Sequence, residues 1–207
     1  MTDFEIYLKM GFEHISDLGA YDHILFLVAL CAAYNVRHWR QIVVLVTAFT
    51  IGHSLALAAA TLGWIDLSMS WDLGERKAVQ LSLIIEFLIP LTILLTALSN
   101  LWQKEEIKTT RAKLWRYGMG LGFGLIHGLG FSNYLQSLLG REESIFLPLL
   151  SFNIGLELGQ LMIVGVIMLI ALPFQTGLKV PVRSWNLFVS GAAAGVAWVL
   201  LIQTKFW

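Results

Sequence analysis

The sequence predicts an all-α integral membrane protein, a six-transmembrane-helix bundle preceded by a short amphipathic N-terminal helix. Of its 207 residues, 57% are hydrophobic and only 14% are charged, whereas a soluble domain has about 25% charged residues. Mean hydropathy is +0.72. Six apolar stretches each come close to the ~20 residues that a membrane span requires. In this single domain, 1–207, we place the spans at about 20–36, 41–63, 78–101, 116–139, 146–172 and 184–205.

The N-terminal segment, 1–19, has the pattern of an amphipathic helix. Its apolar side chains recur at helical spacing on one face, and charged side chains occupy another. Such a helix is expected to lie in the membrane interface. Its first charged residues, Asp3 and Glu5, are acidic, unlike the basic start of a cleaved signal peptide, so we expect the N-terminus to be retained. The apolar face comprises Phe4, Leu8, Phe12 and Ile15.

Charge and cysteine content exclude several classes of function. The formal net charge is zero, so electrostatics give no reason to expect a nucleic-acid partner. The single cysteine, Cys31, excludes an internal disulfide and a site built from several thiolates. Membrane lipid is therefore the predicted surrounding partner, and a chain of this size can also act as a homo-oligomer.

The distribution of Lys and Arg predicts the orientation. The loops after the first, third and fifth spans carry more of these residues than the opposite side, and such loops are usually cytoplasmic. We therefore predict an inner (plasma) membrane protein of bacterial type with both termini extracytoplasmic. The predicted cytoplasmic set is Arg37, Arg40, Lys104, Lys108, Arg111, Lys113, Arg116, Lys179 and Arg183, and the opposite set is Lys9, Arg76, Lys77, Arg141 and Lys205.

Glycines recur every fourth residue in the fourth predicted span. Small residues at this spacing let two helix backbones approach closely in lipid. We therefore expect the fourth span to pack tightly against a neighbour. The pattern comprises Gly120, Gly124 and Gly128, with the same spacing at Gly118 and Gly122 and, in the sixth span, at Gly191 and Gly195.

Ionisable residues inside the predicted spans are the candidate functional groups. A charged residue at the centre of a membrane helix costs about 2.5–3.5 kcal/mol on insertion scales, so it needs a partner. At 1.5 Å rise per residue, these groups lie at overlapping depths in the outer half of the bundle. His14 joins them if the N-terminal segment folds back. The candidates are Asp22, His23, His53, Glu86, His127 and Glu157.

Histidines and carboxylates together suit a borderline divalent cation such as Zn²⁺, Ni²⁺ or Co²⁺. Asn153 and Gln160 share a helix face with Glu157, so their amides are candidate second ligands or partners of that carboxylate. Each group also has a simpler interpretation: a membrane histidine often only hydrogen-bonds a neighbouring helix, and Glu86 can pair locally or be protonated. His38 lies between Arg37 and Arg40 and is excluded as a surface residue.

Five sequence motifs resemble the HupE/UreJ family of small integral membrane proteins. The resemblance implies nickel or cobalt permease-like function, and it matches His14, Asp22, His23, His53, His127 and Glu157 to the polar positions of the family. The segment between His14 and Asp22 is two residues longer than in the shorter family form. The motifs are GFEHI, YDHILFLVAL, TAFTIGHSLALA, GLIHGLGFS and FNIGLELGQL.

Three functions follow from these residues. The first is uptake or delivery of a divalent transition metal ion through a site in the extracytoplasmic half. The second is a zinc-dependent intramembrane hydrolase that acts on lipid or peptide at the outer leaflet. In it, three histidines or two histidines and a carboxylate hold the ion, and a spare carboxylate such as Glu86 or Glu157 serves as base. The third is a membrane scaffold stabilised by a metal. The sequence leaves the choice among nickel, cobalt and zinc open.

Overall fold

The structure, a computed structural model, describes residues 2–19, 21–71, 79–103, 109–139 and 144–207. This part contains seven α-helices and one antiparallel two-stranded ribbon. The strands are β1 (Ser70–Trp71) and β2 (Val79–Gln80). The helices are α1 (Asp3–Ser16), α2 (Asp22–Ala32), α3 (Trp39–Thr61), α4 (Leu81–Trp102), α5 (Thr110–Leu139), α6 (Phe146–Leu172) and α7 (Val182–Gln203).

Four helical segments are long and apolar enough to cross a membrane: Val36–Thr61, Leu81–Trp102, Phe146–Gly177 and Val182–Gln203. They include α3, α4, α6 and α7, so four of the predicted spans are confirmed as long apolar helices. The count of six is not confirmed. Helix α2 has only 11 residues, and the 30-residue α5 is rich in glycine, which lowers its hydropathy.

Helix α2 is shorter than predicted because a 3₁₀ turn at Val36–His38 follows it and ends the apolar stretch. The side chain of Asn35 accepts a hydrogen bond from the backbone N–H of Arg37 at 2.9 Å and caps this turn. Short polar side chains favour such caps over a helix interior. Hydropathy alone does not reveal where the helix ends, because the residues after it, Ala33 and Tyr34, are also apolar and are buried.

Helix α1 packs along α6. Its N-terminus is fixed by a capping box between Thr2 and Glu5. A Cβ added at Gly11 would collide with the carbonyl oxygen of Phe152 in α6, so only glycine allows this approach. Ile15, from the predicted apolar face, is fully buried, whereas Phe4 at the other end remains exposed. The location of this helix in the interface stays a prediction.

Helices α3 and α5 form the same kind of contact. A Cβ at Gly52 of α3 would collide with the carbonyl oxygen of Leu121, and one at Gly124 of α5 would collide with that of Phe49. The two backbones therefore touch, as the glycine spacing in the fourth predicted span indicates. The other predicted small-residue spacings are different, because a Cβ at any of them would have nothing within 4 Å: Gly118, Gly122, Gly191 and Gly195.

A polar network joins α4 to α2, α5 and α7 at one end of the bundle. The Asn100 amide nitrogen donates to the carbonyl oxygen of Ala29 at 2.7 Å, and Asn100 Oδ1 accepts from the Arg116 guanidinium at 3.1 Å. Asn186 Nδ2 donates to the Asn100 carbonyl oxygen at 2.9 Å, and Ser190 donates to Asn186 Oδ1 at 2.9 Å. These bonds fix the mutual positions of four helices.

That end of the bundle carries the predicted cytoplasmic arginines. The backbone N–H of Val36 donates to Gln175 Oε1 at 3.0 Å, which ties the start of α3 to the end of α6. The orientation itself stays a prediction. Part of the charge count that supports it lies outside the described residues: Arg76, Lys77, Lys104, Lys108 and Arg141.

Candidate metal centre

Three histidines from three helices meet in the interior of the bundle. Each of His14, His23 and His53 offers a nitrogen, and these three atoms lie within 4.8 Å of one another. The ring centroids of His14 and His23 are 4.8 Å apart, and those of His14 and His53 are 6.1 Å apart. The N-terminal segment therefore folds back as the candidate site requires, despite its two additional residues. We call these residues, together with His127, the histidine cluster.

His127 borders the three-histidine group. Its ring centroid is 5.3 Å from that of His23. His127 and His53 come from α5 and α3, the two helices whose backbones touch at their glycines, and both are at most 1% exposed. A Cβ at Gly128, the residue after His127, would lie against the carbonyl oxygen of His53. The two histidines therefore lie at similar depths along α3 and α5, as counting from the span ends predicts.

Hydrogen bonds fix the protonated nitrogen of His23. Asp22 Oδ1 lies 3.1 Å from His23 Nδ1 and also accepts from the backbone N–H of His23 at 2.9 Å. An ionised carboxylate only accepts hydrogen bonds, so the Nδ1 of a neutral His23 carries the proton. Its Nε2 is then a free lone pair, and it is buried with no hydrogen-bond partner. A carboxylate behind a histidine is the common arrangement at metal sites.

The same reasoning applies to His127. The Thr92 hydroxyl donates to the carbonyl oxygen of Ile89 at 2.7 Å, so its oxygen is left to accept from His127 Nε2 at 3.1 Å. Since Nε2 carries the proton, Nδ1 holds the lone pair. That Nδ1 is also buried without a partner.

His53 and His14 complete the set of unpaired nitrogens. Both ring nitrogens of His53 and Nε2 of His14 are buried without a hydrogen-bond partner. Burial, and to a lesser extent the neighbouring His23, lowers the pKa of His14, in α1, to about 3. The ring is therefore neutral at physiological pH, which is the form that binds a metal ion.

Aromatic rings surround the histidines. The centroid of Phe131 lies 3.8 Å from that of His14, and Phe152 stacks on His53 at 6.5 Å. On the other side, Phe49 lies 5.2 Å from His127. These rings cover the unpaired histidine nitrogens, which are buried and have no hydrogen-bond partner among the described residues.

A cleft of about 660 Å³ leads from the surface to His14. Glu13 and Asp17 line it, with Phe131 and Tyr134 from α5. A second cleft, of about 360 Å³, reaches Asp22 and is lined by the exposed Glu86. Acidic side chains thus stand on both approaches to the histidine cluster, where they attract cations.

Four residues proposed from the sequence lie outside the histidine cluster. Glu86 faces the second cleft. Glu157 Oε1 instead accepts from the Thr47 hydroxyl at 2.6 Å, and Gln160 Oε1 accepts from the Thr50 hydroxyl at 2.7 Å. Asn153 Nδ2 donates to the carbonyl oxygen of Leu149 in its own helix at 2.8 Å. Helical spacing alone does not give the direction of each side chain, so it could not predict these partners.

Sequence reasoning missed the threonines. Thr92 fixes the tautomer of His127, and Thr47 and Thr50 contact the polar residues of α6. A hydroxyl costs little inside a span because it can bond to its own helix backbone. Threonine therefore gives no sequence signal comparable to that of a buried histidine or carboxylate.

The sequence model of a family described as HupE / UreJ protein matches residues 1–207, the whole chain. The chain belongs to the HupE/UreJ family. This match confirms the resemblance carried by the five motifs, and with the four long apolar helices it identifies a membrane protein. No curated protein and no solved structure shows a significant match.

Proposed function

We propose that this HupE/UreJ protein takes up or delivers a divalent transition metal ion, which the histidine cluster binds as cargo. The observation that carries the proposal is the set of unpaired, buried histidine nitrogens. Burying a polar atom without a partner costs about 1–3 kcal/mol. Three histidines whose nitrogens converge, with a fourth beside them, suit a common ligand, and a metal ion can accept one lone pair from each converging ring.

The donor chemistry favours nickel, cobalt or zinc. Neutral imidazole suits these borderline ions, whereas Mg²⁺ and Ca²⁺ prefer oxygen donors. Family membership favours nickel or cobalt, because the HupE/UreJ family is associated with these metals. His14, His23, His53 and His127 would hold the ion, and Asp22 would orient His23 and supply negative charge next to it. The ion would arrive through the acidic clefts on the predicted extracytoplasmic side.

The remaining features of the membrane arrangement are part of the same proposal. Helices α2 and α5 would complete a bundle of six membrane-inserted segments, with α1 folded against α6. The exposed apolar side chains would contact lipid, and the chain would function alone or as a homo-oligomer in the inner membrane.

A zinc-dependent intramembrane hydrolase is the second candidate. The observation that favours it is the three-histidine group, because catalytic zinc sites use three protein ligands and leave one position for water. His127, whose ring centroid lies 5.3 Å from that of His23, would favour the first proposal if its free nitrogen took the fourth position. Of the two candidate bases, Glu157 bonds to Thr47 outside the three-histidine group, and Glu86 lines the second cleft.

Metal analysis and transport measurements test the proposal. Purified protein is expected to bind one Ni²⁺, Co²⁺ or Zn²⁺ per chain, and proteoliposomes are expected to accumulate radioactive ⁶³Ni²⁺. His53→Ala should abolish both properties. The matched control is His38→Ala. His38 immediately precedes the first residue of α3, and His53 lies in the second half of that helix.

The outcomes separate the candidates. Stoichiometric metal without uptake, together with lipid or peptide hydrolysis, would favour the hydrolase. If the wild-type protein binds no metal, or if His53→Ala binds it as tightly as wild type, both candidates fail.

A further inference from the structure

A second polar layer lies between α3 and α6, on one side of the histidine cluster. It consists of Thr47 and Thr50 from α3 and of Glu157 and Gln160 from α6. We call it the oxygen layer, because its polar atoms are two hydroxyls, a carboxylate and an amide. The two contacts between the helices are Thr47 to Glu157 at 2.6 Å and Thr50 to Gln160 at 2.7 Å.

The position of the oxygen layer along the bundle follows from helix geometry. Thr50 and Thr47 precede His53 by three and six residues in α3, which corresponds to about 4.5 and 9 Å along the axis. On α6, Glu157 follows Phe152, the residue stacked on His53, by five residues. Both helices therefore place the layer on the same side of the cluster, towards the end where Val36 bonds to Gln175. The sequence predicts that this end is cytoplasmic.

The oxygen layer is incompletely paired. Glu157 Oε2 and Gln160 Nε2 are buried without a hydrogen-bond partner, and Gln160 is 0% exposed. Turning the Gln160 amide by 180° gives the nitrogen a partner, because Thr50 can accept from it while donating to the carbonyl oxygen of Val46 at 3.2 Å. Gln160 Oε1 is then free beside Glu157. In that orientation the layer presents a carboxylate oxygen, Glu157 Oε2, and the amide oxygen of Gln160 with no protein partner.

We propose that the oxygen layer is a second cation position, separate from the histidine cluster, that receives the metal ion on its way to the cytoplasmic side. This inference rests on the proposed uptake function and adds the step that carries the ion beyond the histidines. A buried cation needs a counter-charge in a membrane, and the Glu157 carboxylate supplies it. Oxygen donors hold a borderline ion more weakly than imidazoles do, which suits a position that must release its ion.

The separate positions of Glu157 and the histidine cluster allow binding of the metal ion and its onward transfer to be tested separately. Glu157 accepts a hydrogen bond from Thr47, and among the described residues no hydrogen bond or ion pair joins it to a histidine of the cluster. Removing its charge should therefore leave the affinity of the cluster unchanged while blocking movement of the ion past it. A role for Glu157 as a direct ligand of the clustered site would instead lower both affinity and uptake.

The test compares ⁶³Ni²⁺ binding in detergent with ⁶³Ni²⁺ uptake by proteoliposomes. Glu157→Gln keeps an acceptor for Thr47 but removes the charge. We expect this variant to bind one Ni²⁺ with a Kd within about twofold of wild type, and its uptake rate to fall at least about tenfold, because the ion lacks a counter-charge in the layer. Retained binding also shows that the variant is folded. Glu157→Asp should restore part of the uptake.

The control is Asp66→Asn, which removes a carboxylate from the loop after α3, where Asp66 accepts hydrogen bonds from Ser68. It should leave binding and uptake unchanged. The inference is overturned if Glu157→Gln transports like wild type, or if it loses Ni²⁺ binding. Absence of uptake by the wild-type protein would instead overturn the proposed function itself, so the two failures are distinguishable.

Discussion

The histidine cluster and the Asn100 network are both buried and polar, but they differ in how their hydrogen bonds are satisfied. In the network, both side-chain atoms of Asn100 and both of Asn186 have partners within the protein. In the cluster, nitrogens of all four histidines are buried without one. A satisfied polar network stabilises one arrangement of helices, whereas a set of unpaired donors and acceptors indicates a ligand. The Asn100 network therefore stabilises the packing of the helices, whereas the histidine cluster is the site that we propose binds the metal ion.

The two regions also differ in electrostatics. In the network, Arg116 and Arg183 donate to amide and carbonyl oxygens, so their charge is shared among neutral acceptors at the end of α4. The cluster instead carries the Asp22 carboxylate beside neutral imidazoles. A cation would be repelled by the first region and attracted by the second. Substitutions in the two regions should therefore separate stability from metal affinity.

The largest effect is expected from separating the helices that hold His53 and His127. Gly124→Ala adds a Cβ that would collide with the Phe49 carbonyl and lie 3.0 Å from the backbone nitrogen of His53. Such overpacking costs about 1–3 kcal/mol or more, and it moves the two histidines apart. We expect loss of both thermal stability and stoichiometric metal binding.

The matched control for this prediction lies one half-turn away in the same helix. Gly122→Ala meets nothing within 4 Å of its Cβ, and alanine is the better helix former by about 1 kcal/mol. This variant should melt at or above the wild-type temperature and bind metal normally. Equal losses in both variants would contradict the α3–α5 contact.

The next effect concerns the orientation of His23. Asp22→Asn keeps the size of the side chain but removes the charge that holds the proton on Nδ1. Loss of such a supporting carboxylate typically weakens metal binding by about 10–100-fold. Isothermal titration with Ni²⁺ or Zn²⁺ measures this change, and an unchanged Kd would show that Asp22 does not support the site.

A smaller effect is expected at Thr92. Thr92→Val removes the hydroxyl that accepts from His127 Nε2, so His127 is no longer held with its lone pair on Nδ1. Since His127 borders the three-histidine group, we expect about tenfold weaker binding, at the lower end of the range for supporting residues. If the affinity instead falls as far as in Asp22→Asn, then His127 is bound to the ion as firmly as His23.

Much of this arrangement was accessible from sequence, because spacing along a helix determines depth. His53 and His127 were placed at one level by counting residues from the span ends, and the structure brings their helices into contact. The direction of a side chain around the helix axis depends on which helices are neighbours. For this reason counting residues does not reveal that Glu86 faces the second cleft or that Glu157 bonds to Thr47 in the oxygen layer.

The folding back of His14 could be considered from sequence but not decided. It depends on Gly11, whose contact with the Phe152 carbonyl seats α1 against α6. A single glycine within an amphipathic segment does not reveal its partner helix. Asn100 is a similar case, since its role depends on Ala29 and Arg116, which lie far apart in the sequence.

Substitution in the Asn100 network is expected to change metal affinity least. Its main effect should be a loss of stability. Asn100→Ala leaves the Ala29 carbonyl and the Arg116 guanidinium without their partner. Each buried group left unsatisfied costs about 1–3 kcal/mol, so the melting temperature in detergent should fall by several degrees. The Kd for Ni²⁺, measured well below the melting temperature, should stay at the wild-type value. If instead Asn100→Ala weakens metal binding as strongly as Asp22→Asn, the two regions are coupled through α2, which carries both Ala29 and His23. The separation between a stabilising network and a metal-binding cluster would then be wrong.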